Sequence, residues 1–179
     1  MAQLLILLVD DIPDHSKLYE AALRQSGYRV HLVSTGKVAL DVARSERPDC
    51  AVIDVRLPDM DGWEVCRLMK ADASAKATPV VILSPDITET CATEGARSGC
   101  SAWLAHPTLA RDVPRVVDHV LAQHRPSPGS ARDAIVGVAE CRACGSDQIR
   151  ATLRLGAIQY YTCRSCNLSW RVDAVESVA

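Results

Sequence analysis

Across the first 124 residues, short apolar runs rich in Val, Ile and Leu alternate with longer segments of helical period. The runs at 4–9, 28–33, 50–54, 79–83 and 102–104 have strand length and few polar interruptions, the pattern of strands covered on both faces. Segments near 13–25, 36–46, 62–71, 88–97 and 109–123 repeat their apolar residues at helical spacing and predict a helix after each strand. Five strands alternating with five helices imply βαβ units built on a parallel sheet.

After residue 124 the pattern changes. Residues 125–130, RPSPGS, hold two prolines, a glycine and two serines, a composition that ends a helix and favours extended or turning backbone. Further on, Ile149, Ala151, Leu153 and Leu155 alternate with Arg150, Thr152 and Arg154, and Gly156 offers a turn before apolar stretches at 158–162 and 168–172. Period-two alternation around a turn predicts a small antiparallel sheet. The expected organisation is an α/β domain over 1–124, a linker over 125–136 and an all-β module over 137–179.

Charge excludes little and favours nothing polyanionic. The formal net charge is −2, with 13 Lys/Arg against 17 Asp/Glu over 1–124 and 5 against 4 over 137–179, so neither part announces a nucleic-acid partner by electrostatics. The first apolar run is six residues long, lacks a basic flank and runs into Asp10 and Asp11. It reads as neither signal peptide nor membrane span, and a cytoplasmic protein with no membrane association is expected.

The eight cysteines divide into two kinds. Cys50, Cys66, Cys91 and Cys100 stand singly within apolar or helical patterns, as buried reduced thiols do. Cys141 and Cys144, and Cys163 and Cys166, form two CxxC pairs separated by 18 residues, the spacing of a structural zinc ribbon. Gly145 and Asn167 follow the second cysteine of each pair, where a tight knuckle needs left-handed backbone. A module of this size buries too little apolar surface to fold unaided, and four thiolates on Zn2+ would supply the stability while leaving no open coordination position for catalysis.

In a parallel sheet, ligands collect at the carboxyl ends of the strands. Asp10 and Asp11 close the first strand, Asp54 closes the third, Ser84 follows the fourth, and His106 and Pro107 follow the fifth. Three carboxylates converging there would repel one another without a hard dication, and Mg2+ suits oxygen ligands.

These residues carry a family resemblance. LLVDD at 7–11, DVRLPDMDG at 54–62, Ser84, and GCSAWLAHP at 99–107 resemble the receiver domain of two-component response regulators over about two-thirds of the chain. The resemblance implies a flavodoxin-like (βα)5 fold with strand order 2-1-3-4-5. It also implies Asp54 as phosphoacceptor from a sensor histidine kinase or phosphotransfer protein. Asp10, Asp11, Asp54 and the backbone carbonyl of Arg56 would hold Mg2+, Ser84 would contact the phosphoryl group, and Trp103 would stand at the aromatic switch position. It further implies a homodimer through the surface of the fourth helix, fifth strand and fifth helix. Two residues depart from the family. His106 stands where a lysine is usual, exchanging a long ammonium for an imidazole, and Pro85 follows Ser84 where a backbone N–H is usual, which proline lacks.

A signalling protein, not a metabolic enzyme, is therefore expected, with the zinc ribbon as output. A receiver-like adaptor that works without phosphate is the alternative raised by His106 and Pro85. For the ribbon, Tyr160, Tyr161 and Trp170 offer aromatic surface beside Arg150 and Arg154. A protein partner is expected ahead of DNA or RNA, which needs more positive charge.

Overall fold

The computed structural model describes residues 3–84, 89–105, 110–124, 141, 146–155, 158–165 and 168–173. Eight strands form one sheet in the order β2-β1-β3-β4-β5-β8-β7-β6. The first five, β1(Leu5–Val9), β2(Arg29–Val33), β3(Cys50–Asp54), β4(Val80–Ser84) and β5(Ala102–Ala105), run parallel. β6(Ile149–Leu155), β7(Ile158–Cys163) and β8(Leu168–Asp173) form an antiparallel meander whose last strand pairs antiparallel with β5.

The parallel part follows from composition. β1, β3 and β4, with sequences LILLV, CAVID and VVILS, are buried at every position, because helices cover both faces of a parallel sheet and leave no wet side. Successive side chains point to opposite faces. Ile6 and Leu8 therefore enter one core with Tyr19 and Leu23 of α1(Pro13–Gln25) and Val113, Val116, Val117 and Val120 of α5(Asp112–His124). Leu7 and Val9 enter the other core with Ala39 and Leu40 of α2(Gly36–Glu46) and Val65, Cys66 and Met69 of α3(Gly62–Ala71). Each large aliphatic side chain so buried contributes about 1.5–3 kcal/mol. β2, on the outside, is buried only at Val30 and Val33.

Local chemistry sets the helix boundaries. α1 begins with Pro13 in its first turn, where the missing N–H costs nothing. It gives way at Ser26 and Gly27, whose φ of +88° suits glycine alone. Thr35 caps α2 by accepting from the Val38 N–H at 3.4 Å, and Asp61 caps α3 by accepting from the Trp63 N–H at 2.7 Å. α4(Glu89–Ser98) precedes β5. Among the described residues no helix is long and apolar enough to cross a membrane.

The five strand and five helix positions expected over 1–124 are present, with ends displaced by no more than about three residues. The three later strands also form where expected. The difference lies in their placement, for they extend the parallel sheet through β5 and do not make a sheet of their own. The strict alternation expected for β6 is also broken. Ala151 pairs with Tyr161 and Leu153 with Tyr160, leaving Thr152 as the extra residue of a bulge.

Candidate functional site

The parallel sheet delivers its polar residues to one end. Asp10 directly follows β1, Asp54 is the last residue of β3 and Ser84 the last of β4, while Asp54 pairs in register with Leu83 and Ser84 with Ala105. All three are buried: Asp10 is 2% exposed, Asp54 4% and Ser84 1%. Acidic groups in such positions are rare without a partner.

Asp10 shows the tension most directly. Its Oδ1 accepts the Ile12 N–H at 2.8 Å, while its Oδ2 is a buried side-chain oxygen without a hydrogen-bond partner. Burial pushes its carboxyl above the ordinary aspartate value, and the nearby charges of Asp54 and Asp11 push in the same direction; the Ile12 amide and His15 pull it partly back. The Tyr19 phenol, beneath the same acids, is pushed up to about 12 by burial and by Asp10 and Asp54. Asp54 Oδ1 accepts the Arg56 N–H at 2.7 Å, which orients the carboxylate at the strand end. Beside the acids lies an open cleft of about 340 Å³, with Asp11, Ser16 and Lys17 in its walls.

This arrangement can take a cation in one form and not in another. Among the described residues no group of three or more His, Cys, Asp or Glu side chains has metal-binding spacing, so Asp10, Asp11 and Asp54 are not drawn into a ready three-carboxylate cage, and Asp11 is exposed. Mg2+, however, keeps several waters and needs only one or two carboxylates. The orphaned Asp10 oxygen and the adjacent Asp54 charge meet that requirement, with the Arg56 carbonyl on the same loop. His106, Pro85 and Pro107 lie outside the described residues.

The loop from Asp54 to Gly62 divides its labour among its acids. Asp59 accepts the N–H groups of Gly36 and Lys37 at 2.8 and 2.9 Å, binding the loop to the start of α2. Those amides, with Lys37 foremost, hold its carboxyl below the ordinary range. Asp61 caps α3. Gly62 donates its N–H to Val55 O at 2.8 Å, and a Cβ there would collide with the backbone carbonyl of Asp54. Only glycine lets α3 start so close beneath the phosphoacceptor candidate. The structural roles of Asp59, Asp61 and Gly62 were not extracted from the sequence. A signal for one was present, since Asp61 followed at the third position by Glu64 is a capping-box pattern.

Trp103 is 2% exposed and stands in the core with Cys66, Met69 and Ala96. A Cβ on Gly95 would lie 3.0 Å from its ring, so that glycine makes the space the indole fills. The aromatic surface expected on the C-terminal strands changes in one respect. Tyr161 is partly buried and packs on the α1–α5 core because β7 lies one strand from β8, which is docked on β5. The side chains of Tyr160, Trp170, Arg150 and Arg154 lie outside what is described.

The cysteine pairs are half visible. Cys141 and Cys163 are fully buried, while Cys144 and Cys166 lie outside the described residues. What flanks the pairs is nonetheless close. Cys141 N–H donates to Ser146 O at 2.7 Å and Arg164 N–H to Gln148 O at 2.8 Å. Ser146 and Ser165 share a hydroxyl hydrogen bond of 2.7 Å, and Ile149 pairs in register with Cys163. The segments that carry Cys141 and Cys163 thus lie beside each other.

A profile of the response regulator receiver domain matches residues 6–118. Response regulator PleD of Caulobacter vibrioides is 37% identical over 102 residues, which are 57% of this chain and 22% of PleD. Protein PilH of Pseudomonas aeruginosa is 31% identical over 117 residues, 65% of this chain and 97% of PilH. Among solved structures, the chemotaxis response regulator CheY4 of Vibrio cholerae superposes with a TM-score of 0.63 at 26% identity, covering 66% of this chain and 99% of CheY4. The receiver domain of a Pseudomonas aeruginosa sensor histidine kinase, crystallised with a magnesium ion in its active site cleft, superposes with a TM-score of 0.62 at 30% identity, covering 68% of this chain and 99% of that one.

Proposed function

The chain belongs to the response regulator receiver family of two-component signalling, and on that premise we propose that Asp54 accepts a phosphoryl group from a sensor histidine kinase or phosphotransfer protein and that the β6–β8 segment is its output. The supporting observation is the buried pair of Asp10 and Asp54, with one Asp10 oxygen left without a hydrogen bond. Mg2+ bound there would supply positive charge for the phosphoryl oxygens. One Asp54 carboxylate oxygen attacks phosphorus, the P–N bond to the donor imidazole breaks, and an acyl phosphate forms on Asp54. The Arg56 amide orients the attacking carboxylate, and buried Ser84 stands one strand away to contact the transferred group.

For the output, we read Cys141, Cys144, Cys163 and Cys166 as ligands of a structural Zn2+, on the spacing of the pairs and on the Ser146–Ser165 contact between them. The partner of this segment is taken to be a protein, since its five Lys/Arg against four Asp/Glu give a nucleic acid little to hold. A cytoplasmic location accords with kinase-donated phosphate.

A second reading is favoured by two residues. Pro85 has no N–H to offer a phosphoryl oxygen, and His106 carries less fixed charge than lysine. On this reading the chain is an adaptor whose receiver binds a partner without being phosphorylated. Intact mass spectrometry after incubation with Mg2+ and acetyl phosphate separates the two. Gain of one phosphoryl mass by the wild type and none by Asp54→Asn supports the first; an unmodified wild type, also with its purified kinase, establishes the second.

A further inference from the structure

The C-terminal strands do more than adjoin the receiver, because they share its interior. Cys141 and Cys163 belong to the same apolar cluster as Ala102 and Leu104 of β5 and Val113 and Val116 of α5. β8 pairs with β5 through Ala102↔Trp170, Trp103↔Ser169 and Leu104↔Leu168, and β6 lies against α4. The meander thus adjoins α4 and β5 and shares a core with α5. A ladder of three pairs is a weak hold by itself, and a sheet this small has little apolar area with which to fix its own shape. At one end of it Cys141 and Cys163 are buried and Ser146 meets Ser165.

We infer that the β6–β8 sheet is a metal-conditional cap on the β5 edge. While the four cysteines hold Zn2+, β8 occupies the edge; when the metal is withdrawn, β8 leaves and the edge opens. The inference rests on the zinc reading given above and adds to it a consequence for the receiver. β5 carries Trp103 and is joined through β4 to the strand of Asp54, so the capped strand lies two strands from the phosphoryl site. Metal state, as well as phosphorylation, then sets which surface the receiver presents. The homodimer expected through this face needs the cap removed, because β8 already lies on the edge.

Hydrogen exchange by mass spectrometry on the full reduced chain tests this, with zinc content measured alongside and with β1 and β3 as internal controls. Chelation is expected to speed exchange across β5(Ala102–Ala105) about ten-fold or more while β1 and β3 stay protected. Cys163→Ser is expected to do the same without chelator. Leu168→Pro, which breaks the β8 ladder but keeps every cysteine, is expected to open β5 with zinc still bound. Loss of zinc with β5 protection unchanged overturns the inference and leaves the zinc reading intact. A reduced chain that holds no zinc, with β5 indifferent to Cys163→Ser, overturns both. Leu168→Pro without effect on β5 rules out β8 as the cap.

Discussion

β4 and β8 flank the same strand, and different physics holds each of them there. β4 is buried along its whole length, pairs with β5 at four positions and sits between two helical layers. β8 meets β5 at three positions, in the opposite sense, and belongs to a meander whose described side chains in or against the core include Cys163, Ile149 and Tyr161, with Cys141 beside them. The first neighbour is held by distributed burial, which no single contact dominates. The second has the shorter ladder and runs in the opposite sense, and it is on this side of β5 that the proposed cap lies.

The largest test of that contrast is Leu8→Ala. Leu8 is fully buried in the cluster that also contains Cys141 and Cys163, and its truncation is expected to lower stability by about 3 kcal/mol. A single urea transition seen identically by probes in both regions is expected; two separated transitions would show that the meander is independent of the core. Gly62→Ala comes next, at about 2 kcal/mol, since the added methyl meets the Asp54 carbonyl and the start of α3 must shift. Its zinc content should equal that of wild type. An equal loss of zinc would mean that the two regions are more tightly coupled than β5 alone allows.

Asp10→Asn has the opposite sign. The raised Asp10 carboxyl means that its charged form is disfavoured in the folded chain, so its contribution is most favourable when protonated and declines as pH rises from the unfolded aspartate value through the folded one. The amide removes that decline, and a gain in stability at neutral pH is expected by thermal denaturation. Mg2+ should stabilise the wild type at neutral pH and leave Asp10→Asn unaffected. The smallest effect belongs to Asp59→Ala, at about 0.5 kcal/mol, from losing its two amide contacts at the α2 terminus. Asp59 is held below the ordinary range. Its contribution is therefore complete above the unfolded aspartate value and is lost as pH falls through the folded one, the reverse of Asp10. Measuring the two variants from pH 3 to 8 sets the opposed slopes side by side.

The parallel half of the fold was legible because burial on both faces writes itself into composition. β1, β3 and β4 are uninterrupted apolar runs, and their carboxyl ends locate Asp10, Asp54 and Ser84 without further information. The pairing of β8 with β5 was not legible, since nothing local in residues 168–173 distinguishes an edge that ends a separate sheet from one that joins another. Register between segments some 66 residues apart, as for Trp103 and Ser169, is decided by three-dimensional fit. Cap roles were obscured for a different reason. The run from Asp54 to Gly62 contains three aspartates of identical chemistry, and only their partners separate Asp54 at the strand end from Asp59 and Asp61 on helix termini. Tyr161 was misplaced on an exposed surface because alternation along β7 assigns a face but cannot say what lies against it.

The bulge in β6 bears on a hazard common to sheets of this length. Among the described residues β6 is one of the two outer strands, opposite β2, and an outer strand offers amides and carbonyls as a template on which further chains can polymerise. The extra residue at Thr152 interrupts the hydrogen-bonding rhythm midway and adds local twist. A further strand laid along β6 would match it over only part of its length, so growth of the sheet at that edge is hindered.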